Sequence, residues 1–168
     1  SQFSPKLIQS KIDHWKNKAL NPNDVKSESL DNLVDEKSLS IYKIYQARLF
    51  EINCLDFGDL LLQCINLFKV PDIHKRYSNN FKYIHVDEYQ DTNAAQYKWL
   101  KLLGSHHQNV CCVGDDDQSI YSWRGAEVDN MLRFEKEFEN AKVIRLKQNY
   151  RSTTVSYTHL RAHETLSH

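Results

Sequence analysis

Glycine is scarce: the 168 residues hold four, Gly58, Gly104, Gly114 and Gly125. None of them opens a G-x-x-x-x-G-K-S/T loop, the backbone cradle that binds nucleotide phosphates tightly. Net charge is absent too, because 22 basic residues balance 22 acidic ones. Composition therefore gives no basic footprint for nucleic acid, and any such contact has to come from specific residues. No apolar run approaches the length of a membrane span. The N-terminus carries no charged-then-apolar secretory pattern, so cytoplasmic residence is the expectation. Cys54, Cys64, Cys111 and Cys112 form no C-x-x-C pair, and the histidines are scattered. That spacing excludes a Cys/His zinc site and leaves buried free thiols in a reducing compartment as the expectation.

What is present suits a globular chain. Hydrophobic residues make up 40% and charged residues 26%, enough for one sizeable core. The first residues are Ser-Gln rather than Met, so a cut end is expected. The first half reads helical. Ser4-Pro5 is a helix start, with Ser as cap and Pro in the first turn, and Ile8, Ile12 and Trp15 follow at helical spacing. Asn21-Pro22-Asn23-Asp24 is a break. A second helical pattern runs through Ile41, Ile44, Tyr45, Leu49 and Ile52. A third, from Phe57 to Phe68, is apolar enough to be largely buried, and Pro71 marks its end.

The second half changes character. Tyr83 to Val86 is strand-like and ends in Asp87-Glu88. Asn93 to Leu103 reads as a helix stopped by Gly104. Asn109 to Val113 is an apolar run ending in Gly114. Val128 to Phe138 is helical again, and Lys142 to Leu146 is a third strand candidate. Strands alternating with helices predict a parallel sheet with crossover helices. Three polar clusters then follow the three strands: Asp87-Glu88, Gly114 to Arg124, and Gln148 to Arg151. Ligands of open parallel sheets bind outside the carboxyl ends of the strands, which is where these clusters fall.

Adjacent carboxylates past a buried strand can divide labour. One holds a Mg²⁺ that bridges phosphate oxygens, and the other orients or deprotonates a water. The same two letters also describe a solvated acidic turn. Tyr121 and Trp123 alternate with small and charged residues, a pattern that offers π-faces to single-strand bases; a core position is the other reading of Trp123. Asp115, Asp116 and Asp117 point in different directions on a loop and are not assigned as ligands. Asp56 and Asp59 are expected to cap backbone N–H groups.

Longer strings carry a family resemblance. Val86 to Asn93 (Val-Asp-Glu-Tyr-Gln-Asp-Thr-Asn) resembles the Walker B segment, motif II, of superfamily 1 helicases of the UvrD/Rep/PcrA type. Val113 to Ala126 resembles their motif III, and Gln148 to Thr153 their motif IV. Leu55 to Leu61 is similar to the family's Asp-Phe-Asp-Asp-Leu-Leu element, with Gly58 in place of an acid. The strings occur in the family's order, and the resemblance covers about residues 40 to 154.

The resemblance implies an α/β fold: part of a RecA-like (P-loop NTPase) parallel sheet with a helical inserted subdomain, truncated at both ends. Residues 1–50 would be part of that subdomain and 51–147 the C-terminal half of the first RecA-like motor domain. Residues 148–154 would begin the second, and 155–168, a polar His-rich stretch, would be a non-native or disordered tail. It implies an ATP-dependent 3′-5′ DNA helicase and single-stranded DNA translocase acting in repair or replication on single strands and duplex/single-strand junctions. ATP and Mg²⁺ would be required. Asp87 would ligate Mg²⁺, and Glu88 would be the base toward water. Gln118 would sense the γ-phosphate, Tyr150 would stack on adenine, and Arg151 would act as an arginine finger. Trp123, Tyr121 and Arg124 would face DNA. Without a phosphate loop, the chain alone is expected to be inactive. The alternatives are the helicase part of a recombination helicase-nuclease, a non-catalytic nucleic-acid-binding module, and a Mg²⁺-dependent phosphohydrolase that works on its acidic clusters alone.

Overall fold

In the computed structural model, residues 4–26, 28, 30–115, 134, 138 and 141–146 are described. Among the described residues, five α-helices and two strands run in the order α1 (Pro5–Asn17), α2 (Leu33–Glu51), α3 (Phe57–Leu67), α4 (Pro71–Asn80), β1 (Ile84–Val86), α5 (Ala94–Leu103) and β2 (Val110–Cys112). One 3₁₀ turn, Tyr89–Asp91, lies between β1 and α5. The chain is α/β.

The helix starts follow local chemistry. The Ser4 hydroxyl accepts from the Leu7 N–H, and Pro5 sits in the first turn of α1, where its missing donor costs nothing. Asn32 caps α2 by accepting from the Val34 and Asp35 N–H groups. Asp56 and Asp59 form a reciprocal capping box on α3, the capping role expected of them. Asn93 and Gln96 do the same for α5, which stops at Gly104. Pro71 follows the end of α3 and also opens α4, a short polar helix that the sequence pattern did not suggest.

Among the described residues the core has three parts. Ile12 and Trp15 of α1 meet Val25 and Tyr42, with the Trp15 and Tyr42 rings stacked at 6.0 Å. Ala19, Leu62, Ile65 and Ala95 join α3 to α5. Tyr89, Tyr97 and Leu100 close over Ile84, Val86, Val110 and Cys112, the inward residues of the sheet. Helix α1 packs on α2, α3 and α5, and α4 packs on α5.

Strands β1 and β2 pair in parallel, with Ile84 opposite Val110 and Val86 opposite Cys112. Helix α5 makes the crossover, as the alternation of patterns predicts.

Three expectations need correction. Lys142 to Leu146 is not a strand: residues 141–146 are irregular, and Ile144 and Leu146 are 71% and 88% exposed. A β-prone run needs a neighbouring ladder to become a strand, and among the described residues only β1 and β2 pair. Helix α3 is half buried rather than largely buried, since Phe57, Leu60 and Leu67 face outward while Leu62 and Ile65 face the core. Two of the four free thiols, Cys54 and Cys111, are exposed, because Cys54 follows the α2 terminus and Cys111 is the outward residue of β2. Of the helix expected from Val128 to Phe138, only Phe134 and Phe138 are described, joined by a Phe138 N–H to Phe134 carbonyl bond of 3.0 Å. Residues 148–168 lie outside the described residues.

Candidate functional site

The parallel pairing brings two of the polar clusters to one edge. Beyond β1 the chain turns at Asp87-Glu88, and beyond β2 it continues through Val113 to Asp115. Val113 holds the two exits together: its N–H donates to the Val86 carbonyl at 2.8 Å, and its carbonyl accepts from the Tyr89 N–H at 2.9 Å. The acidic turn is therefore fixed against the backbone that leads into residues 116–126.

Within that turn Glu88 adopts a left-handed conformation, φ 51° and ψ 43°. A side chain other than glycine is unfavourable there, and such strain gathers at functional sites. The turn is held on both sides. The Asp87 Oδ1 accepts from the Glu88 N–H at 2.9 Å, and the Asp91 N–H donates to the Glu88 carbonyl at 2.9 Å. Tyr89, 1% exposed, anchors the following 3₁₀ turn in the core.

Asp87 and Glu88 are both exposed, so both carboxylates reach solvent at the sheet edge. The Glu88 N–H engages one oxygen of the Asp87 carboxylate. A hard dication such as Mg²⁺ binds through one or two protein carboxylates and keeps waters and substrate phosphates as its other ligands. An exposed Asp carboxylate at the end of a parallel strand fits that donor set. No cluster of three or more His, Cys, Asp or Glu with ligand geometry occurs among the described residues, so a dedicated all-protein metal cage is not formed there.

Gln90 was not singled out by the sequence reading, yet its side chain connects the two exits. It is 3% exposed; its Nε2 donates to Glu88 Oε2 at 2.7 Å, and its Oε1 accepts from the Asp115 N–H at 3.0 Å. Gly114 makes room for it, since a Cβ there would lie 2.7 Å from Gln90 Oε1. No single-sequence signal distinguishes this glutamine from a solvated one; its burial appears only when β2 pairs with β1.

A model of the UvrD/REP helicase N-terminal domain matches residues 1–139. The chain belongs to that family. Its relatives agree. Over 153 residues, 90% of this chain, it is 52% identical to a DNA helicase II of Rickettsia typhi. Over the same length it is 50% identical to a probable DNA helicase II homolog of Rickettsia felis and 48% identical to an ATP-dependent DNA helicase PcrA of Staphylococcus epidermidis. These matches span 23%, 23% and 21% of the relatives' own lengths. The family resemblance drawn from its motifs therefore holds. Of the residues assigned by that resemblance, Asp87 and Glu88 stand together at the sheet edge. Gln118, Tyr121, Trp123, Arg124, Tyr150 and Arg151 lie outside the described residues. No described helix is long and apolar enough to cross a membrane.

Proposed function

We propose that this chain supplies part of the ATP-hydrolysis machinery of a DNA helicase, and that its sheet edge at Asp87-Glu88 faces the nucleotide. The observation that carries this reading is the fixed turn at the end of β1, in a UvrD/REP-family sequence, with Glu88 held left-handed beside the 113–115 backbone. In the intact enzyme, Asp87 would hold the Mg²⁺ that arrives with ATP, whose role is to neutralise charge on the phosphates. The Glu88 carboxylate would orient the attacking water and take its proton. Gln118 would contact the γ-phosphate, and Tyr150 would stack on the base. Arg151 would place a guanidinium where negative charge grows on the transferred phosphoryl group. Trp123, Tyr121 and Arg124 would form the face that meets single-stranded DNA, with aromatic stacking tolerant of sequence. Movement along DNA would run 3′ to 5′, and the substrates would be single strands and their junctions with duplex.

The segments would divide as the motifs suggest, with residues 1–50 in a helical inserted subdomain and 51–147 in the first motor domain. Residues 148–154 would open the second motor domain, and residues 155–168 would be a non-native or disordered tail. The enzyme would work in the cytoplasm. The G-x-x-x-x-G-K-S/T cradle does not occur in the sequence, so the isolated chain is expected to release no phosphate from ATP with Mg²⁺.

Glu88→Gln tests the assignment in a full-length helicase carrying this chain. It should leave ATP binding intact while DNA-stimulated turnover falls by about 100-fold or more, the scale of losing a positioned general base. Stopped-flow phosphate release with a fluorescent nucleotide titration reads both quantities. Turnover at the original rate would remove Glu88 from the role of base.

A further inference from the structure

We propose that Gln90 is a positioning residue that passes the placement of the 114–115 backbone on to the Glu88 carboxylate, and so links the exit of β2 to hydrolysis. The inference rests on the reading of Glu88 as base. Its grounds are geometric. The Gln90 amide is buried, and a buried amide must find partners. It finds one on each of the two exits, Glu88 Oε2 at 2.7 Å and the Asp115 N–H at 3.0 Å. The orientation is unambiguous: only the amide oxygen can accept from a backbone N–H, and only the NH₂ can donate to a carboxylate. Flipping the group would break both bonds. The bond to Glu88 is charge-assisted, the stronger kind, so it fixes which way a strained and exposed carboxylate points.

Gly114 leaves the amide its room: an added Cβ would fall 2.7 Å from its oxygen and 3.2 Å from the Gln90 backbone nitrogen. Displacement of residues 114–115 moves the Asp115 N–H from which Gln90 Oε1 accepts. Asp115 leads directly into 116–126, the segment assigned above to the γ-phosphate and to DNA. A change there that moved the Asp115 N–H would re-aim Glu88. Gln90 itself touches neither nucleotide nor DNA in this scheme.

The test uses a full-length helicase carrying this chain, with steady-state ATPase measured with and without oligo-dT. Gln90→Met keeps the length and removes both bonds. The expected result is a fall of about tenfold in the ratio of DNA-stimulated to DNA-free turnover, the scale of one hydrogen bond to a charged group. The KM for ATP should stay within about twofold, because ground-state binding is untouched. A wild-type ratio would overturn the proposal, and so would an equal loss with and without DNA, since a merely structural residue would lower both rates alike. If Gln90→Met fails to bind a fluorescent ATP analogue stoichiometrically, Gly114→Ala becomes the deciding variant. It leaves Gln90 in place and displaces its amide, and it should lower the same ratio; an unchanged ratio overturns the proposal. Glu88→Gln runs alongside. If that variant keeps its turnover, the reading of Glu88 is what fails. If it is inactive while the Gln90 and Gly114 variants keep the wild-type ratio, only the present inference fails.

Discussion

Lys16 is buried almost completely, with its side chain 1% exposed, and its ammonium is shared between Asp56 at 2.6 Å and Asp59 at 2.7 Å. Tyr42 and Tyr45 lie beside it, their ring centroids 5.5 and 5.2 Å from Nζ. Gln46 and the Tyr45 hydroxyl complete the shell by donating to Asp59 and Asp56. Such a cluster holds α1, α2 and α3 in register, because removing any one partner leaves a charge stranded in low dielectric. Lys16→Met should destabilise the chain by about 3–5 kcal/mol, the cost of breaking a buried pair, read as a shift in urea midpoint at constant slope. A shift under about 1 kcal/mol would mean that the site admits water. The same cluster sets an acid limit. Burial pulls the Asp56 carboxyl upward, but hydrogen bonds from Lys16, the Asp59 N–H and Tyr45, with the Lys16 charge, outweigh it and hold it below its ordinary value. A carboxyl depressed in the folded state contributes stability above its unfolded value, near 3.9, and loses it as pH falls through the folded value. Stability should therefore fall as pH drops below about 4, and less steeply in Lys16→Met, as urea midpoints at successive pH values would show.

Among the elements, α3 separates packing from exposure most cleanly. Leu62 is 2% exposed and Phe57 94%, although both are large and apolar. Leu62→Ala should cost about 2–5 kcal/mol, while Phe57→Ala should change stability by less than about 0.5 kcal/mol. Thermal or urea unfolding of the two variants makes the comparison, and equal losses would contradict the orientation of the helix. The element explains a departure from the family pattern as well. Where that pattern has an acid this chain has Gly58, and a Cβ there would lie 2.7 Å from Lys16 Cδ and 3.1 Å from its Cβ. Glycine lets the lysine stem pass against the first turn of α3. Much of this level was legible in advance: the Ser4-Pro5 start, the Asn21–Asp24 break, the capping acids of α3 and the Gly104 stop all rest on contacts within a few residues. Helix α4 was not legible, because its polar sequence has little periodicity and its burial depends on α5. The face of α3 was not legible either, since an all-apolar run does not say which side meets the core.

At the scale of the molecule, apolar surface is the outstanding feature. Phe50, Phe57, Ile144 and Leu146 are each at least 70% exposed, and β1 and β2 form a two-stranded sheet. Among the described residues no further strand pairs with them, and a two-stranded ladder with large exposed side chains invites association. The 168-residue chain on its own should bind hydrophobic dyes, self-associate at micromolar concentration and unfold at low temperature. Size-exclusion chromatography with light scattering and calorimetry would check this, and a monomer with a sharp, high-temperature transition would count against it.

The sequence by itself determined the family, the helix boundaries set by local caps, and the order of the acidic and aromatic motifs, because these reside in adjacent residues and their spacing. Only the tertiary structure decided that Asp87-Glu88 and Gly114-Asp115 share one edge in contact, that Gln90 is buried between them, and that Lys16 neutralises two acids 40 and 43 positions away. Those facts depend on strand pairing and helix packing across long stretches of chain, and no local pattern of residue types encodes which distant partner fills a given space.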